Sequence, residues 1–219
     1  MKILCCGDSH TGIFKYCDSK QNDFQFDVCI VSGATAQGAV NPNSKTNALK
    51  IFKEKINTTK ANKLLIMLGE VDCGFVVWVR SKRYNISVDE QIKISVENLF
   101  SFVYDIVKGE NNYTHEDIII AGAVLPTIKD STDKRYLCGA RSEVDISQIE
   151  RTRKTIEYNN ILRNRCEQYG YRYIEITNHI MGSEGIVKNE FLHSNTSNHH
   201  LDDDKTYNLW IDQLKMLNF

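Results

Sequence analysis

The chain has 219 residues, 42% of them hydrophobic and 25% charged, a composition that fits a folded globular protein and excludes a disordered or fibrous one. Its formal net charge of −1, with no long basic run, supplies no pull toward nucleic acid or an anionic membrane. No apolar stretch approaches the roughly 20 residues of a spanning helix, and the opening Met1-Lys2-Ile3-Leu4-Cys5-Cys6-Gly7 is too short for a signal peptide; the expectation is one cytoplasmic domain over residues 1–219 with neither nucleic acid nor membrane as partner.

Short apolar runs alternate with longer segments of helical period, the pattern of a parallel sheet covered on both faces. The first run, residues 2–6, ends in Gly7-Asp8-Ser9-His10. A Gly-Asp-Ser turn is ordinary loop chemistry, yet in an open α/β sheet ligands bind at the carboxyl ends of the strands, which makes Ser9 a candidate nucleophile. The second run, 27–31, is followed by Ser32-Gly33-Ala34-Thr35-Ala36-Gln37-Gly38, small residues that let backbone N–H groups approach a developing oxyanion. A helix is expected over 44–56. The third run, 63–68, leads into Gly69-Glu70-Val71-Asp72-Cys73-Gly74 and then into an aromatic and basic segment, Phe75 to Tyr84, which either lines a cleft, with Trp78 or Tyr84 stacking on a sugar, or packs into the core.

Ser87-Val88-Asp89-Glu90 is a Ser-x-x-Glu capping box ahead of Ile92, Val96, Leu99, Phe100 and Val103, so a helix is expected over 88–108. A fourth strand follows at 117–124, an aperiodic stretch of mixed charge at 127–145, a helix at 146–169 closed by Gly170, a fifth strand at 171–176 and a last helix at 203–217. The sum is a doubly wound three-layer α/β/α sandwich on a five-stranded parallel sheet. If the strand order is 2-1-3-4-5, the loops after the first three strands open on one crevice.

A serine nucleophile needs a base, and histidine is the usual one. Of six histidines, His115 and His179 read as surface residues, and only the cluster His199-His200-Leu201-Asp202-Asp203-Asp204 lies just ahead of the final helix, where it can fold back toward Ser9. His193, His199, His200 and Asp202 to Asp204 also make a conceivable metal set, set aside because adjacent histidines rarely converge on one ion and no H-x-x-x-H pair is present. The seven cysteines, odd in number and without C-x-x-C spacing, argue against a disulfide framework and a zinc knuckle; Cys5, Cys6 and Cys29 lie in apolar runs and suit a core.

Gly7-Asp8-Ser9-His10, Ser32-Gly33-x-Thr35-x-x-Gly38, Leu68-Gly69-Glu70-Val71-Asp72 and His200-Leu201, in this order and across nearly the whole chain, resemble the motifs of the SGNH (GDSL-type) hydrolases. The resemblance implies a flavodoxin-like sheet in order 2-1-3-4-5, serine esterase activity and no metal or organic cofactor. It implies Ser9 as nucleophile, His200 as general base and the N–H groups of Ser9 and Gly33 as oxyanion donors. The residues around them, Asp8, His10, Glu70, Asp72, Trp78, Arg80 and His199, are expected in supporting or substrate-binding places. Two positions depart from the pattern. Val71 stands where the family has an oxyanion Asn, with Arg80 the charged donor nearby. Ser197 stands where an Asp would orient the base, with Asn198 beside it, which suggests a Ser–His dyad helped by a backbone carbonyl, by Ser197 or by an acid from elsewhere. His199, a competing base, has Thr196 at the corresponding position.

The expected substrate is a small acyl ester, O-acetyl on a carbohydrate foremost. The alternatives are transfer of the acyl group to a sugar hydroxyl, and a catalytically impaired carbohydrate-binding module on the same fold.

Overall fold

The computed structural model describes residues 1–109, 113–137 and 139–219, so Cys138 lies outside the described residues. The strands are β1 (Lys2–Gly7), β2 (Gln25–Ile30), β3 (Lys63–Met67), β4 (Ile118–Ala121) and β5 (Arg172–Ile174). They form one sheet in the order β2-β1-β3-β4-β5, every pair parallel. All five apolar runs become strands, with bounds shifted by a few residues.

Alternation along the strands splits the apolar side chains between two cores. Leu4, Cys6, Leu64, Ile66, Ile118 and Ile120 face one layer, built from α2 (Ala48–Thr58), α3 (Val77–Tyr84), α4 (Val88–Lys108) and α5 (Gln148–Tyr169), which contribute Phe52, Val77, Val96 and Tyr158. Ile3, Cys5, Leu65, Met67 and Ile119 face the other, where α1 (Ile13–Lys20), α6 (Thr177–Ile180) and α7 (Asp203–Lys215) contribute Phe14, Ile180, Trp210 and Leu214. Cys5 and Cys6 are fully buried and reduced. Among the described residues no helix is long and apolar enough to cross a membrane.

Helix ends follow local chemistry. Ser87 accepts from the Glu90 N–H at 3.2 Å to start α4, and Gly170, in the left-handed region at φ 73°, closes α5. Three helices lie outside the expected ones, α1, α3 and α6, the last only four residues long. α1 is only eight residues long and buries only Ile13, Phe14 and Cys17, too few positions to display a period. α3 grows out of a π-turn, Asp72–Val76, in the aromatic and basic segment that gave no regular pattern.

Candidate active site

β1 lies between β2 and β3, so its carboxyl end is the topological switch point of the sheet. Gly7 is required there, because a Cβ would stand 2.1 Å from both the Met67 carbonyl oxygen and the Thr11 Oγ1. Asp8 is buried, and its Oδ1 accepts from the His10 N–H at 2.9 Å, capping the short turn Ser9–Gly12 that presents the serine. Burial pushes the Asp8 carboxyl up to about 7.

The loop after β2 reaches the same edge. The Val31 N–H donates to the Gly7 carbonyl at 2.9 Å, so Gly33 follows two residues beyond this pairing, exposed and at φ 74°. Buried Asp72 fastens this loop to the third block by accepting from the N–H groups of Ala36 at 2.7 Å and Gln37 at 3.1 Å. Asp72 is therefore a structural tie between two loops of the crevice.

The segment ahead of α7 is held by a bridge between Leu192 and Leu201 and a bond from the Asp202 N–H to the Phe191 carbonyl. It brings His200 Nε2 to 2.9 Å from Ser9 Oγ. Asn198 determines which nitrogen carries the proton. The His200 backbone N–H can only donate, and it meets Asn198 Oδ1 at 3.0 Å; the same oxygen lies 2.8 Å from the ring Nδ1. Nδ1 must then hold the proton, and Nε2 is left bare to accept from the serine hydroxyl. Ser197, the position expected to help, turns away and donates to Asn195 Oδ1 at 2.8 Å. Burial, with His10 and His199 adding their charge, lowers the His200 pKa to about 3.

A second constellation sits against this pair. His10 is buried with its Nε2 3.0 Å from Glu70 Oε2, close enough for an ion pair but out of line for a bond from the ring N–H. Glu70 also accepts two parallel bonds from Arg141, at 2.9 and 2.6 Å, the fork geometry of a strong pair. Burial opposes charge on Glu70 and His10, yet Arg141 and His10 hold the Glu70 carboxyl well below the usual range, and Glu70 holds the His10 pKa up. Arg141 comes from the aperiodic 127–145 stretch and brings that stretch against the third block. His10 and His199 pack on His200 with ring centroids 4.5 and 4.1 Å away.

No family model and no curated protein matches the chain. Solved structures do. A GDSL-like lipase from Bacteroides thetaiotaomicron superposes with a TM-score of 0.61 at 14% identity, covering 98% of this chain and 86% of that one. A carbohydrate acetylesterase family member from Sinorhizobium meliloti gives 0.61 at 11% identity over 99% and 98% of the two chains. A lipase/acylhydrolase from Enterococcus faecalis gives 0.61 at 14% over 98% and 95%. The fold is that of the SGNH (GDSL-type) hydrolases.

Two of the expected supporting side chains find other partners. Trp78 is half-buried against the core, with its Nε1–H donating to the Cys73 carbonyl at 2.7 Å, which is the core alternative of the two readings of its segment. Arg80 turns its guanidinium over the ring of Tyr84, 5.4 Å from the centroid, and does not replace the oxyanion donor that the SGNH pattern places at position 71. Val71 itself is buried apolar packing. Ser9 and His200 open onto a cavity of about 450 Å³ whose wall includes Tyr16, His193, Asp203 and Trp210.

Proposed function

We propose that the protein is a serine esterase that removes small acyl groups, O-acetyl on a carbohydrate foremost, through an acyl-enzyme. The observation that carries this reading is the 2.9 Å contact between Ser9 Oγ and a His200 nitrogen that has no proton of its own. Ser9 Oγ attacks the ester carbonyl carbon as its proton passes to His200 Nε2; the imidazolium then delivers that proton to the departing alcohol oxygen. Water attacks the acyl-enzyme with its proton taken by Nε2, the acid leaves, and the serine is reprotonated. The N–H groups of Ser9 and Gly33 hold the oxyanion. Asn198 orients the imidazole throughout but, being neutral, does not balance its transient charge as a carboxylate would.

The choice of an acetylated carbohydrate draws on the fold shared with a carbohydrate acetylesterase family member. A fluorophosphonate probe tests the chemistry. Labelling is expected for the wild type, lost in Ser9→Ala and weakened in His200→Ala; a folded wild type that does not label refutes the proposal. Acetate release from acetylated sugars, measured with and without a sugar acceptor, then separates hydrolysis from transfer.

A further inference from the structure

Three imidazoles converge at the mouth of the catalytic pair although they come from opposite ends of the chain. One ring nitrogen from each of His10, His199 and His200 can be chosen so that all three lie within 4.8 Å of one another. The adjacent His199 and His200 converge because their rings fold onto each other, with centroids 4.1 Å apart, while the buried turn after β1 supplies His10 from beneath at 5.4 Å and 4.5 Å. From these relations we propose that the three histidines form a binding site for a divalent d-block ion, with Zn²⁺ the best fit, and that the ion reversibly inhibits the enzyme by capturing its general base.

Three imidazole nitrogens with no carboxylate among them suit a borderline-soft ion and disfavour Mg²⁺ or Ca²⁺, which take oxygen ligands, and His10, whose protonated form Glu70 favours, gives up its proton as the ion binds. In a tetrahedral site with Zn–N bonds of about 2.0–2.1 Å, donor atoms are separated by roughly 3.3 Å. Closing from 4.8 Å asks for movements of about an ångström. His199 and His200 are half-buried and have room for them, whereas His10 is fixed. Part of an outer shell is also in place: Glu70 Oε2 stands 3.0 Å from His10 Nε2 and Asn198 Oδ1 stands 2.8 Å from His200 Nδ1, so two of the three rings have an oxygen beside one nitrogen. Such oxygen partners orient metal-bound imidazoles and raise their basicity.

Binding and inhibition separate cleanly. Binding stands on the histidine geometry alone. Inhibition rests on the esterase reading, and there it follows whichever nitrogen of His200 the ion takes: Nε2 accepts the Ser9 proton, and Nδ1 keeps the ring in place.

The test uses the full chain freed of metal with a chelator and titrated with Zn²⁺ by calorimetry, with Co²⁺ absorption as a second probe. One saturable site is expected, with visible bands of tetrahedral Co²⁺ and an affinity at least about tenfold weaker in His199→Ala. His199→Gln keeps the comparison should the alanine variant fold poorly. Fluorophosphonate labelling of Ser9 is expected to fall as Zn²⁺ saturates and to return with chelator. Absence of saturable binding, or equal affinity in both His199 variants as when thiols such as Cys29 hold the ion, overturns the site. Normal binding with undiminished labelling overturns the inhibition. If metal-free wild type does not label at all, the esterase reading fails and calorimetry still decides the site.

Discussion

One amide oxygen, Asn198 Oδ1, accepts from both the backbone N–H of His200 at 3.0 Å and its ring Nδ1–H at 2.8 Å, and so does the orienting work for which a carboxylate was expected. Asparagine orients the histidine in cysteine proteases of the papain type, so the chemistry has precedent. Asn198→Ala frees the ring to rotate and take the other tautomer, and kcat is expected to fall by about 10²-fold with KM little changed. Asn198→Asp keeps both accepted bonds and adds a charge that stabilises the imidazolium, so kcat at or above wild type is expected. Steady-state kinetics on an acetyl ester decide the matter, and an alanine variant as fast as wild type removes Asn198 from the mechanism.

The same environment predicts an unusual pH profile. A general base works only when neutral, so its pKa sets the acid limb of kcat/KM. Burial and the adjacent His10 and His199 bring His200 down from 6.5 to about 3. The limb therefore moves to the acid side, and kcat/KM is expected to stay flat from about pH 5 to 8. Asn198→Asp places a negative charge against the ring and moves the limb upward. A wild-type limb centred near the ordinary histidine value contradicts this account.

Much of this was legible because the physics is local. Strands buried on both faces read as near-continuous Ile, Leu and Cys, and Ser9, Gly33 and His200 stand where strand ends and a pre-helical loop put them. Asn198 is not the position that the SGNH pattern singles out, which lies three residues before the base. The signal was at minus two, since Asn side chains bond the backbone N–H two residues on. Arg141 had no local signal. It lies in a stretch without period, and only the need of a buried Glu70 for a counter-charge pointed to some distant cation. Trp78 lies in a segment whose sequence suits cleft and core alike, and it packs half-buried against the core.

Glu70 carries a stability prediction with a defined pH window. Its side chain and that of His10 are each 3% exposed and Arg141 is 10% exposed, so Glu70→Gln leaves two cations buried with their shared counter-charge gone. A loss of about 3–5 kcal/mol is expected in urea denaturation at neutral pH. The depressed Glu70 pKa gives stability that is present above the ordinary carboxylate value of 4.5 and is lost as pH falls through the lower folded value. The raised His10 pKa gives stability that is complete below 6.5 and is lost as pH rises through its higher folded value. Wild type should thus exceed Glu70→Gln by most between these limits, and a gap that does not vary with pH contradicts the charge argument.

Two glycines that flank Ser9 in the chain, Gly7 and Gly12, test how the nucleophile is held. Gly7 ends β1 where a Cβ would meet the Met67 carbonyl at 2.1 Å, and that oxygen belongs to the backbone of the paired strand, which cannot yield without breaking the ladder. Gly12 closes the turn after Ser9, where a Cβ would meet only Ile30 Cδ1 at 3.7 Å, an ordinary contact. Gly7→Ala is therefore expected to cost about 3 kcal/mol or more, at the upper end for overpacking, and to displace Ser9 from His200. Gly12→Ala, at a φ of −54° that alanine adopts freely, should be neutral or stabilising by about 0.4–1 kcal/mol through the unfolded chain. Denaturation midpoints and fluorophosphonate labelling of both variants measure the two effects. Equal tolerance at the two positions shows that the β1–β3 junction can open, and that Ser9 is not held by the close approach of those strands.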